Sequence, residues 1–160
     1  MRRTVPAGWF RSPVHVLAFG FGTGLSPVAP GTLGTLAAVP IVWMLSPLPG
    51  SLSAVVVLVF TVAGVHICRV AAATLGTHDH PAIVWDEMAG LMITLLFVPF
   101  SWTALALGFV LFRVFDILKP WPISYVDRKI PGGVGIMLDD VIAAVFAGIV
   151  LRGMEAYFGF

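Results

Sequence analysis

Carboxylates are the side chains of this chain best placed to do chemistry, and they are unevenly distributed. Seven of the eight Asp and Glu fall between Asp79 and Asp140, and four of these form two adjacent pairs, Asp86-Glu87 and Asp139-Asp140, each opening an apolar segment. Neighbouring carboxylates repel, so two such pairs brought together need a cation between them, and hard oxygen ligands that retain water suit magnesium best. Taken singly, each acid is also explained by the preference of helix amino termini for negative charge. Zinc fits poorly, because His78 and His80 flank Asp79 with no second His or Cys cluster to complete a tetrahedral set. Those two histidines either shuttle protons or cap a loop.

Between the acidic pairs lies a run from Arg113 through Asp116 to Lys119-Pro120-Trp121-Pro122. Arg113, Asp116 and Lys119 are spaced by three and share one face of a helix. They form either a self-neutralising ladder at a membrane interface or a phosphate site. In the second case Arg113 offers a planar fork and Lys119 a point charge, with Asp116 as metal ligand, nucleophile or base. Pro120 and Pro122 stop the helix and set Trp121 at headgroup level. The glycine- and hydroxyl-rich stretch from Gly20 to Thr35 offers free amides that can hold an anion at a helix start, although close helix packing explains it equally well. It is no Walker loop, since the Gly-Lys-Ser/Thr ending is missing. Gly132-Gly133-Val134-Gly135 reads as a mobile loop that also lets backbone approach a ligand.

The elements that carry these residues must be apolar. Of 160 residues 59% are hydrophobic and 11% charged, against roughly 25% charged in soluble domains, so a water-soluble domain is not expected. The net charge is +1 and the nine Lys and Arg are scattered, which removes the basic face of a nucleic-acid binder. Cys68 stands alone in an apolar run and reads as a small buried hydrophobe. The start, Met1 to Arg11, is followed by a run broken by Gly and Pro, a poor signal-peptide core, and reads as a mature cytoplasmic amino terminus.

No formally charged side chain occurs from Ser12 to Cys68 or from Met88 to Phe112. Leu33 to Leu45 forms a first segment, ended by Ser46-Pro47-Leu48-Pro49-Gly50, and Leu52 to Ala73 a second, with Arg69 able to snorkel. Met88 to Phe112 is either one tilted helix or a hairpin turning at Pro99-Phe100-Ser101-Trp102. The hairpin puts Arg2, Arg3, Arg11, Arg69, Arg113, Lys119, Arg128 and Lys129 on one side and only Arg152 opposite, as the positive-inside rule asks. A single helix would separate Asp86 and Glu87 from the later acids by roughly 30 Å of hydrocarbon. The last segment, Val141 to Leu151, carries Ala143, Ala144, Ala147 and Gly148, small residues that let membrane helices approach closely. The expected architecture is one domain over residues 1–160: an all-α integral membrane protein, a compact bundle of four to five short transmembrane or re-entrant helices with a polar site at the cytoplasmic face.

His78-Asp79-His80, Val84-Trp85-Asp86-Glu87, Phe112-Arg113 to Pro122, Gly132 to Asp140, and Gly24-Leu25-Ser26-Pro27 through Ala29-Pro30-Gly31-Thr32 together closely resemble the bacterial phosphatidylglycerophosphatase A family, over about Val14 to Ile149. The resemblance implies a magnesium-dependent, multi-pass lipid phosphatase of the inner membrane, with its site facing the cytoplasm, that converts phosphatidylglycerophosphate to phosphatidylglycerol. On that basis Asp86, Glu87, Asp139 and Asp140 hold one or two Mg2+ ions. Arg113, Lys119, Arg128 and the Pro30-Gly31-Thr32 turn bind the substrate, and Asp116 acts with Asp86, Arg113 and Lys119 in catalysis. The partners expected are the substrate and membrane lipids, with no nucleic acid and no obligate protein partner. Two other classes stand beside this one. A small transporter subunit would place its carboxylates at bilayer depth, and a lipid phosphotransferase would need a second motif for a nucleotide-linked donor.

Overall fold

Proline and glycine punctuate this apolar chain, and several of its helices begin or end on them. The computed structural model describes residues 5, 7–77 and 80–160. Helices α1 (Pro13–Ala18) and α2 (Pro30–Ala37) each begin with Pro at the first position, where the missing N–H has no helical partner to lose. Helix α3 (Val39–Leu45) follows α2 directly. Pro40 explains the break, because its ring collides with the carbonyl four residues earlier. The first apolar segment is therefore two short helices rather than one. Helix α4 (Gly50–Leu75) starts after Pro49 and ends at Gly76, whose φ of 65° closes it in the left-handed region. The others are α5 (Trp85–Leu95), α6 (Trp102–Leu118), α7 (Ile123–Lys129) and α8 (Gly132–Phe158). Among the described residues there is no strand. Arg2, Arg3, His78 and Asp79 lie outside them.

The uncharged run from Met88 to Phe112 is a hairpin, as charge placement predicts. Ser101 ends the turn by accepting a 2.9 Å hydrogen bond from the Ala104 amide, an amino-terminal cap for α6. The two arms are antiparallel: Gly90 of α5 lies against Phe112 of α6, and Gly108 of α6 against Leu95 and Thr94.

Two expectations fail. Gly132-Gly133-Val134-Gly135 is helical, the first turn of α8, so the last segment runs 27 residues instead of Val141 to Leu151. With α4 at 26 residues, the bundle is not built of short helices alone. The cause is packing: a Cβ on Gly133 would sit 2.0 Å from the Val65 carbonyl oxygen of α4, so only glycine allows this approach. The short helix α7 was not foreseen either.

Helix α8 is the hub, touching α4, α5, α6 and α7. Ala143, Ala144 and Ala147 are fully buried, and Gly148 abuts Phe97, so the small-residue stripe does serve close approach. Trp85 stacks on Phe60 with ring centroids 3.8 Å apart and donates its indole N–H to the Phe60 carbonyl. Cys68 is buried beside Met137. Helices α4 and α8 are each long and apolar enough to cross a membrane, with mean hydropathy 2.2. Only 22% of that stretch of α4 is buried in the protein, leaving Val55, Leu58, Val59 and Val62 on the outside.

Candidate active site

Four helices bring their acids to one place. Asp86 and Glu87 occupy the first turn of α5, where the dipole favours them. Asp116 lies in the last turn of α6 and Asp127 on α7. Asp139 and Asp140 do not open a helix, contrary to expectation; with the glycine run helical, they are the eighth and ninth residues of α8. One carboxylate oxygen each from Asp86, Glu87 and Asp140 lies within 4.8 Å of the other two. Together with Asp116, Lys119, Asp127, Asp139, Gly135 and Ile136 these residues line a cavity of about 50 Å³.

Two cations enter this acidic ring. Arg113 Nη1 lies 2.7 Å from Asp116 Oδ2 and 3.8 Å from Glu87 Oε1, and donates to Thr35 Oγ1 at 3.4 Å. The Thr35 hydroxyl in turn donates to the Gly31 carbonyl. Gly31 is pressed against the same groups, since a Cβ there would fall 2.2 Å from Glu87 Oε1 and 3.0 Å from Arg113 Nη2. Lys119 Nζ sits 2.7 Å from Asp127 Oδ1 and 2.6 Å from Asp139 Oδ2. Its burial favours the neutral amine, but hydrogen bonds to Asp127 and Asp139 outweigh burial and hold its pKa above the ordinary lysine value. Lys119 also has φ of 42°, in the left-handed region that non-glycine residues seldom adopt.

The donor set fits a hard dication. Six carboxylates (Asp86, Glu87, Asp116, Asp127, Asp139 and Asp140) face two cations, Arg113 and Lys119, a formal excess of four negative charges. Glu87 Oε2 and Asp140 Oδ2 are buried without a hydrogen-bond partner, an arrangement that is costly unless a cation completes it. Arg113 Nε is likewise buried and unpaired, a donor left for an anion.

Asp86, Glu87, Asp116, Asp139, Asp140, Arg113 and Lys119, all expected at a site, thus converge, and the Pro30-Gly31-Thr32 turn reaches them through Gly31. Asp139 is paired with Lys119 and is not one of the three acids whose oxygens lie within 4.8 Å of one another. Arg128 is exposed on α7 and does not line the cavity. His80 accepts the Ala82 amide at Nδ1, capping its own loop, and borders a separate cleft with Trp9, Ser26 and Pro30. Sequence reasoning missed Asp127, and it named Thr35 only as the end of a hydroxyl-rich stretch without assigning it to the site; the signal was a hydroxyl one helical turn beyond Gly31.

A helical bundle that gathers carboxylates around an arginine and a lysine defines a class: proteins with an acid-lined pocket fit for a dication and an anion together. Comparison narrows the class. A sequence model described as phosphatidylglycerophosphatase A matches residues 16–155. Phosphatidylglycerophosphatase A of Escherichia coli is 48% identical over 141 residues, covering 88% of this chain and 82% of the relative. That of Haemophilus influenzae is 46% identical over 149 residues, 90% of each chain. A Bacteroides thetaiotaomicron protein provisionally named a phosphatidylinositol-3-phosphatase is 40% identical over 146 residues, covering 85% of this chain and 89% of that one. No solved structure matches the chain. The chain belongs to the phosphatidylglycerophosphatase A family.

Proposed function

We propose that this protein is a magnesium-dependent phosphatase of the bacterial inner membrane that hydrolyses the terminal phosphomonoester of phosphatidylglycerophosphate, leaving phosphatidylglycerol and phosphate. The observation that carries the reading is the convergence of Asp86, Glu87 and Asp140 with Arg113 and Lys119, in a chain whose relatives are named for this substrate.

Asp86, Glu87 and Asp140 would hold the metal, which when bound neutralises phosphate charge and supplies Lewis acidity. Arg113 and Lys119 bind the phosphate oxygens. Thr35 and Gly31 fix the direction of the Arg113 fork. Asp116, held 2.7 Å from Arg113, is placed to take a proton from an attacking water. If Asp116 attacks phosphorus directly instead, the ester P–O bond breaks, phosphatidylglycerol leaves with a proton, and an aspartyl-phosphate remains that water then hydrolyses to phosphate; brief labelled turnover would trap it.

Membrane insertion is supported by the outward apolar face of α4 and by length, since 26 residues reach about 39 Å at 1.5 Å per residue. Exposed aromatics stand at both ends, Trp43, Trp102 and Tyr157 away from the site and Trp121 and Tyr125 beside it, as interfacial belts do. Arg11, Arg69, Arg113, Lys119, Arg128 and Lys129 belong to the site end, whereas Arg152, paired with Glu155, belongs to the other. This asymmetry supports a site facing the cytoplasm.

The test is phosphate release from phosphatidylglycerophosphate by detergent-purified protein, with and without magnesium, beside Asp140→Asn, with phosphatidic acid and phosphatidylinositol-3-phosphate as alternative substrates. Magnesium-dependent release, lost in the variant and fastest on phosphatidylglycerophosphate, is expected. A folded wild type that releases phosphate from none of these lipids would sink the proposal and bring forward the ion-pathway reading.

A further inference from the structure

We propose that Asp127 is a positioning residue: together with Asp139 it holds the Lys119 ammonium over the acidic cavity, aimed where the terminal phosphate arrives. What arrives there rests on the phosphatase reading; the tether rests on geometry. Lysine has a flexible four-carbon stem and three equivalent donors. Here two of those donors are occupied, one by Asp127 Oδ1 at 2.7 Å and one by Asp139 Oδ2 at 2.6 Å, from two different helices. The third remains for a phosphate oxygen.

The local fold serves this arrangement. Lys119 adopts its left-handed φ of 42° where the chain leaves α6 and turns toward α7. A non-glycine residue seldom adopts that region unless its surroundings hold it there, and the two ion pairs do so. Helix α7 packs on α8 through buried Ile123 and Val126, which turns Asp127 inward. Asp127 lies outside the Asp86, Glu87 and Asp140 group, and its side chain is one-third exposed. Its engagement is with Lys119, so its part is to place a cation rather than to ligate one.

A coupling experiment tests this with the full-length chain in detergent. Binding of inorganic phosphate in the presence of magnesium is measured by calorimetry for wild type, Asp127→Ala, Lys119→Met and the double variant, alongside KM, kcat and the half-activating magnesium concentration. Asp127→Ala should weaken phosphate binding and raise KM by about tenfold, by analogy with the partners that orient metal ligands. It should leave kcat and half-activating magnesium close to wild type. In the Lys119→Met background it should change nothing further, and Asp127→Glu should restore binding. Additive losses in the double variant would refute action through Lys119, and so would unaltered phosphate binding in Asp127→Ala. A raised magnesium requirement with unaltered phosphate binding would make Asp127 a metal ligand. If Asp127→Ala fails to fold, Asp127→Asn carries the same comparison. A wild type that binds phosphate with this coupling yet hydrolyses no lipid would overturn the phosphatase reading and leave the tether standing.

Discussion

Replacing Gly31 by Ala puts one carbon into space already filled. The added Cβ would lie 2.2 Å from Glu87 Oε1, with Arg113 Nη2 at 3.0 Å and Nη1 at 3.2 Å. Ordinary contact begins at 3.4 Å, so the Glu87 oxygen must withdraw by about 1.2 Å. Glu87 can do this, because its carboxylate is the far end of a flexible side chain, and an off-rotamer torsion costs only about 1 kcal/mol. Stability should therefore change little. Function should change much more, since a misplacement of about 1 Å in a reacting constellation costs on the order of 100-fold in rate. The metal requirement should rise about 10- to 100-fold as a carboxylate leaves its place. The assay is a magnesium titration of phosphate release beside a thermal melt, with Glu87→Gln for comparison. An unaltered melt with the turnover and magnesium response of wild type would refute the placement of Glu87 at the working site. Unfolding at lower temperature with unaltered turnover would show that α2, rather than Glu87, gives way.

Three further substitutions follow from the same geometry. Ser101→Ala removes the cap of α6 at the end of the hairpin away from the site, and should lower stability by about 1 kcal/mol in chemical unfolding without changing kcat. Gly133→Ala meets the Val65 carbonyl at 2.0 Å; backbone cannot swing aside, so a loss of about 1–3 kcal/mol is expected, with reduced activity because α8 carries Asp139 and Asp140. Gly153→Ala, with nothing within 4 Å of the new methyl and a helical backbone, should raise stability by about 0.5–1 kcal/mol in a thermal melt and leave turnover alone.

The hairpin was legible because two independent constraints, the side on which the cations fall and the need to reunite the acids, both reject a single helix over Met88 to Phe112. The convergence of Asp86 with Asp140 was legible because repelling acids in an apolar chain call for a shared cation. Hydropathy is silent on how near two helices come, so Gly132 to Gly135 has the composition of a loop although Gly133 serves contact with α4. Adjacent residues on a helix point about 100° apart, and this explains two errors. Asp139 and Asp140 read as a pair, yet one meets Lys119 and the other meets Asp86 and Glu87. Arg128 and Asp127 are also neighbours, and it is the acid that turns inward. The part played by Asp127 depends on α7 folding back against α8, a tertiary fact that spacing along the chain does not encode.

Asp139 and Asp140 sit two turns into α8, roughly 11 Å from its first residue at 1.5 Å per residue. For the reaction proposed, the small cavity they line is a means of sparing the product. A terminal phosphate hangs from a single oxygen and can be lowered end-on into a recess of about 50 Å³. The phosphodiester that joins glycerol to the rest of the lipid has carbon on both sides and would have to enter doubled over. On the proposed reading, a recess this small favours the terminal bond to be cut over the internal bond to be kept.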